Sequence, residues 1–206
     1  MQRNRWWIAT LALTGAMLVG AGCGSDDEPA SGDTAAEASA MTIELTSAED
    51  DDAGTVTITE DEESGGVEVS AEVSGLAPGF HGFHIHEIAE CEPDSTFEGE
   101  RGAFLSAGGH YTAGTEDHGE HSGDMPPLQA NEDGDARATV IVPTYTLAEL
   151  DDSDGSAVMV HATRDNLANI PPDRYRSDDG PGPDEDTLAT GDSGDRVACG
   201  IVEPAT

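Results

Sequence analysis

Residues 79–87 read GFHGFHIHE, which places His81, His84 and His86 within six residues of a chain that has seven histidines in 206. In an extended chain the side chains alternate between faces, so His84 and His86 share one side and Ile85 turns to the other. Two imidazoles on one face of a strand make a pair of metal donors. A solvated strand with idle histidines fits these nine residues equally well, and the surrounding sequence has to decide.

Short alternating runs lie on both sides of this stretch. MTIELTS from Met41, GTVTITE from Gly54 and GGVEVSAEVSGL from Gly65 set Val56 and Ile58, then Val67, Val69, Ala71 and Val73, against threonine, glutamate and serine. A period of two predicts half-buried strands, and Glu63-Ser64-Gly65-Gly66 predicts a hairpin turn between the second and third. FHGFHIHE is then the fourth strand. Met125–Ala130 and Ala136–Pro143 form a pair around NEDGD, and SAVMVHAT and RVACGIVE complete about eight strands. No run has convincing helical amphipathicity, although YTLAELDD can supply one turn. The expected fold is all-β, an eight-stranded antiparallel sandwich or barrel.

Two connections are long, from about Ile88 to Asp124 and from about Asp165 to Asp195, and long ordered loops in a compact domain are usually functional. The first carries Cys91, His110, His118, His121 and Asp124, while His161 lies in the apolar strand VMVH. Any one of these alone reads as an ordinary hydrogen-bonded histidine. Seven histidines gathered in three places beside an aspartate point instead to a metal centre, imidazole suiting copper or zinc and carboxylate completing a zinc site.

The start of the chain has Arg3 and Arg5, an apolar run from Trp6 to Val19, and small residues up to Cys23. This pattern predicts an export signal over residues 1–22, its apolar run short for a membrane span. Gly20-Ala21-Gly22-Cys23 resembles a bacterial lipobox, which implies lipidation of Cys23 and an outward-facing membrane lipoprotein. Ordinary cleavage and secretion is the alternative. The acidic, aromatic-free residues 23–40 predict a flexible tether ahead of a domain over 41–206. With Cys23 set aside, Cys91 and Cys199 are an even pair in an oxidising compartment, expected to be disulfide-bonded; two free thiols are the alternative.

There are 43 acidic and 8 basic residues, all arginine, and the net charge is −35. Removing residues 1–22 takes away two arginines and no acid, leaving −37. Nucleic acid and anionic membrane surfaces are poor partners for such a chain. Abundant acid without lysine suits a salty environment, where self-repulsion is screened.

Taken in order, GFHGFHIHE, SAGGH, HSGD, VMVH and GDRVACGIV resemble the copper/zinc superoxide dismutase family over roughly residues 41–204. The resemblance implies a Greek-key barrel and conversion of superoxide to O2 and hydrogen peroxide by Cu(II)/Cu(I) cycling, with zinc as structural partner. It implies copper ligands His84, His86, His110 and His161, and zinc ligands His110, His118, His121 and Asp124, with His110 bridging. It further implies that His110 acts as proton donor and that Arg196 docks the anion. Asp165 would link a copper and a zinc histidine, His81 would brace the copper side, and Cys91 and Cys199 would form the family disulfide.

The chain departs from the family pattern in having Gly109 before and Tyr111-Thr112-Ala113 after the bridging histidine, in the compressed run His118-Gly119-Glu120-His121, and in lacking lysines. A non-catalytic metal buffer on the same scaffold, or a secreted structural domain, is the competing reading of the same residues. An anion-docking arginine is the feature a buffer does not need.

Overall fold

The computed structural model describes residues 40–112, 118–178 and 180–202. The expected export signal, Cys23 and the tether up to residue 39 lie outside them.

The alternating runs pair as consecutive antiparallel strands, β1 (Ala40–Ser47), β2 (Asp52–Asp61) and β3 (Gly66–Val73). Their register aligns Ile43, Val56 and Ala71 in one row, each at most 2% exposed. Burying Ile43 and Val56 is worth about 2 kcal/mol each, which makes a one-residue slip costly. The turn between β2 and β3 is closed by the Ser64 amide donating to the Asp61 carboxylate at 3.0 Å, with Gly65 at φ 76°.

The fourth expected strand is broken at Gly82 into β4 (Gly79–His81) and β5 (Phe83–His86). A small hairpin follows, β6 (Ser95–Phe97) and β7 (Glu100–Gly102), and then β8 (Leu128–Ala130) and β9 (Ala136–Val142). After a short helix α1 (Leu147–Leu150) come β10 (Ser156–His161), the two-residue strands β11 (Arg176–Ser177) and β12 (Gly180–Pro181), helix α2 (Glu185–Thr190) and β13 (Arg196–Val202).

The main sheet runs in the order β4-β8-β9-β3-β2-β1-β13-β10-β5. Its two edges, β4 and β5, are halves of one stretch of chain, so the sheet curls back on itself as a nearly closed barrel. At the seam the Gly82 amide donates to the Thr163 carbonyl at 2.8 Å and the His161 amide to the Gly82 carbonyl at 2.9 Å. A Cβ on residue 82 would lie 2.6 Å from the Ser193 hydroxyl, so glycine is required there.

Two expectations need correction. The strand predicted over Met125–Ala130 begins only at Leu128, because Pro126 and Pro127 have no N–H for the ladder. The second long connection contains α2, whose six residues are too few to register as a helical period. It is capped by Asp184, which accepts from the Thr187 amide at 2.8 Å, and it ends at Gly191 with φ 66°. The single turn expected in YTLAELDD is α1, with a capping box between Thr146 and Glu149.

Strand β10 is buried on both faces. Val158 and Val160 point into the barrel, while Ala157 and Met159 pack outside it with Phe104, Ala107 and Cys199 beneath the first long connection. His161 continues that outer face.

Candidate metal centre

Alternation on β5 sends Phe83 and Ile85 into the barrel core and His84 and His86 to its outer face, all four at most 1% exposed. The outward histidines stay dry because two loop segments cover the free edge of β5. The Tyr111 amide donates to the Ile85 carbonyl at 2.8 Å and the Ile85 amide to the Gly123 carbonyl at 3.0 Å. This brings His110 opposite His86 and Asp124 opposite His84. Gly123 permits the approach, since a Cβ there would sit 2.6 Å from the Ile85 carbonyl oxygen. Across β5, Met159 pairs with His84 and Ala157 with His86, and β10 delivers His161 to the same face.

Two groups of donor atoms result, each within 4.8 Å of one another: His84, His86, His110 and His161, and then His84, His110, His118 and Asp124. Their ring nitrogens are sorted by what they touch. His86 Nδ1 lies 3.0 Å from the Gly108 carbonyl and His161 Nδ1 3.2 Å from that of Gly194, so each proton sits at Nδ1 and each Nε2 is a lone-pair donor. Those two Nε2 atoms face one another at 3.4 Å. Asp165 spans the centre, with one oxygen 2.6 Å from His84 Nε2 and the other 2.8 Å from His118 Nε2. His84 is left with Nδ1 bare, and His118 with Nδ1 3.3 Å from Asp124 Oδ2 but without a hydrogen bond.

Four buried ring nitrogens have no hydrogen-bond partner: His84 Nδ1, His110 Nε2, His118 Nδ1 and His121 Nδ1. A buried polar atom without a partner is costly and rare unless an ion fills its need. The donor set therefore fits metal ions, an all-imidazole group suiting copper and an imidazole–carboxylate group suiting zinc. His84 has one free nitrogen and can serve one group only. His110 has Nε2 bare and Nδ1 2.9 Å from Asp124, itself a donor of the second group, so its two nitrogens face the two groups. His121 lies outside the tighter second group, yet its buried Nδ1 is 3.5 Å from Asp124 Oδ2 and is the available replacement for His84.

Charge follows the same division. Burial drives His86 and His161 well below the usual imidazole range and lowers His84 against the pull of Asp165. Burial, with His84 alongside, takes His110 down to about 3 despite Asp124. For His118, burial is the largest single influence and lowers it, but Asp124 and Asp165 together outweigh burial and raise it to about 9. Burial would raise both carboxylates, yet their histidine neighbours hold Asp124 and Asp165 well below the usual carboxylate range. One side of the site is thus a neutral imidazole cage and the other carries fixed negative charge.

Arg196 pairs with His161 across β13 and β10. Its guanidinium donates to the Phe104 and Gly108 carbonyls, each at 2.7 Å. Gly108 is also the carbonyl that His86 touches, so arginine and cage share an anchor. Burial lowers Arg196 to about 10, offset in part by Glu87, and it remains a cation at neutral pH. Cys91 and Cys199 are bonded, with Cα atoms 5.7 Å apart, and tie this loop to β13. The ring of His81 reaches the carbonyls of His161 and Ala77, each at 2.7 Å, behind the cage.

Every expected site residue among the described residues is accordingly drawn to one place; Cys23 is not among the described residues. Two contributors carry no sequence signal. Ser193, 1% exposed, has its hydroxyl 3.3 Å from Asp165. Glu87 accepts the amide of Gly109, beside His110, at 3.0 Å. Both are ordinary polar residues selected by approach in space.

The profile of a family described as copper/zinc superoxide dismutase matches residues 52–202. A superoxide dismutase [Cu-Zn] of Mycobacterium tuberculosis is 47% identical over 133 residues, 63% of this chain and 55% of that protein. The chain thus spans little more than half the length of that relative. One of Escherichia coli is 38% identical over 157 residues, 73% of this chain and 78% of the relative. Among solved structures, a Cu/Zn superoxide dismutase from Brucella abortus superposes with TM-score 0.59 at 32% identity, covering 80% of this chain and all of the other.

Proposed function

The chain belongs to the copper/zinc superoxide dismutase family, and from that premise we propose that it is an exported superoxide dismutase protecting the cell envelope. The observation that carries the proposal is the set of four buried, unpartnered imidazole nitrogens beside a fixed arginine. A metal buffer has use for the nitrogens and none for the arginine.

In this reading His84, His86, His110 and His161 hold copper, and His110, His118, His121 and Asp124 hold zinc in a structural role. Copper would supply the one-electron exchange by which one superoxide becomes O2 and a second, taking two protons, becomes hydrogen peroxide. The chain supplies the rest. Arg196 keeps its guanidinium in place with two of its five N–H groups and offers the remaining charge to the incoming anion. When its Nε2 is not held by copper, His110 would take a proton there and pass it to the developing peroxide, its Nδ1 staying on the Asp124 side of the site. Asp165 fixes the tautomers of His84 and His118, and His81 braces the backbone behind them. The N-terminal pattern supports export and anchoring through lipidated Cys23.

The test is metal content and superoxide turnover of the purified protein, with and without a copper chelator, beside Arg196→Ala. One copper and one zinc per chain, chelator-sensitive turnover, and a variant that keeps copper but loses turnover by roughly tenfold or more are expected. Metal without turnover at any salt concentration supports the buffer instead. Copper with turnover but no zinc retires the zinc assignment.

A further inference from the structure

Six arginines lie among the described residues, and three are accounted for. Arg101 pairs with Asp94, Arg137 with Glu72 at 3.3 Å, and Arg196 with two carbonyls. Arg164, Arg174 and Arg176 have no carboxylate at ion-pairing distance among the described residues, in a chain with 43 acidic residues. Two of them, Arg164 and Arg174, open onto one cleft of about 720 Å3.

The rest of the cleft is largely apolar. Phe80 and Leu167 line it at 51% and 60% exposure, with Pro127, Pro171 and Tyr175 beside them. Leu167 is held outward by a pinned turn. Leu167 and Ala168 both have left-handed backbone, φ 54° and 56°. Asp165 accepts the Leu167 amide at 2.6 Å and Asn166 accepts the Ala168 amide at 2.8 Å. The two acids at the cleft are already engaged, Asp165 by His84 and His118 and Asp192 by the Asn166 amide group at 3.1 Å.

Against a net charge of −35, the cleft exposes two guanidinium groups with no carboxylate partner among the described residues, next to uncovered aromatic and aliphatic surface. We propose that the cleft binds a small organic carboxylate with an aromatic body, its anionic end met by Arg164 and Arg174 and its ring by Phe80 and Leu167. A guanidinium matches a carboxylate in fork geometry, and the cleft has the size of small-molecule sites. Apolar surface rimmed by charge gives the body a place and the anion an orientation. The inference stands apart from the dismutase reading, since no metal donor contacts the ligand; Asp165 alone is common to the two sites.

The test is calorimetric titration of the metal-loaded protein with 4-phenylbutanoate, compared with acetate and the neutral 4-phenylbutanol. Saturable 4-phenylbutanoate binding is expected, with both comparison compounds about tenfold weaker or worse. Arg164→Ala/Arg174→Ala should lower its affinity about tenfold and Phe80→Ala about threefold, at unchanged metal content. Equal binding of acetate would reduce the site to an anion patch, and equal binding of the alcohol would remove the arginines from it. Either result overturns the proposal, as would no saturable binding or an undiminished double variant. A dimer that Phe80→Ala dissolves would assign the face to a second copy instead. The ligand comparisons on the unaltered protein need no variant, so misfolding of one cannot hide the answer.

Discussion

A neutral imidazole has two ring nitrogens and one proton, so whatever accepts the proton decides which nitrogen is left to a metal. Asp165 makes that choice twice, at His84 Nε2 and at His118 Nε2. In Asp165→Asn one oxygen becomes a donor, one ring is driven to the other tautomer, and its metal-facing Nδ1 is blocked. Metal affinity should fall about 10- to 100-fold in a chelator competition while the fold persists; unchanged affinity would remove Asp165 from the site. The metal-free protein should also be sensitive to pH in two directions. His84, His86, His110 and His161 are held below their usual 6.5, so the unfolded chain binds protons that the native one refuses. Stability should therefore fall as pH drops below about 6.5, by about 1 kcal/mol per pH unit for each group that titrates only on unfolding. His118 works the other way. Its pKa is raised to about 9, so its contribution is full below 6.5 and is lost as pH rises through 9. Melting temperature of the metal-free protein should peak between these limits, and a monotonic rise to pH 10 would contradict the His118 assignment.

At the scale of elements, β5 does two jobs because its two faces differ. Ile85 seals the core while His84 and His86 meet the covering loops, and those loops close only where glycine lets backbone touch backbone. Gly123→Ala would press a Cβ to 2.6 Å from the Ile85 carbonyl and to 3.1 Å from Tyr111. Relief requires the 119–124 segment to lift, carrying Asp124 from His110. The expected result is a loss of about 2 kcal/mol in denaturant unfolding with weakened zinc retention; wild-type stability and zinc content would contradict this account. The strands were legible because a period of two with β-branched residues has one reading. The break at Gly82 was not, since only closure of the barrel requires the chain to change partners there. Helix α2 is not legible in the sequence, because a cap and one and a half turns leave no periodic trace.

For the whole molecule, the Cys91–Cys199 bond joins residues 108 apart and anchors the loop whose Phe104 and Gly108 carbonyls hold Arg196. Chain entropy assigns such a closure about 4–5 kcal/mol, or roughly 10 °C in melting temperature for a domain of this size. Cys199→Ser should lower the melting temperature by about that much in calorimetry and reduce turnover more than metal content, because the arginine's acceptors loosen before the ligands do. Equal losses of turnover and metal would contradict that order. The sequence by itself determined the all-β pattern, the metal-donor residue types and the anionic surface, since each depends on local periodicity or on composition. Tertiary structure alone decided which nitrogen of each ring is bare, that Glu87 and Ser193 stand behind the site, and that two arginines share a cleft with Phe80. These depend on distances between residues remote in the chain, and such distances exist only once the barrel has closed.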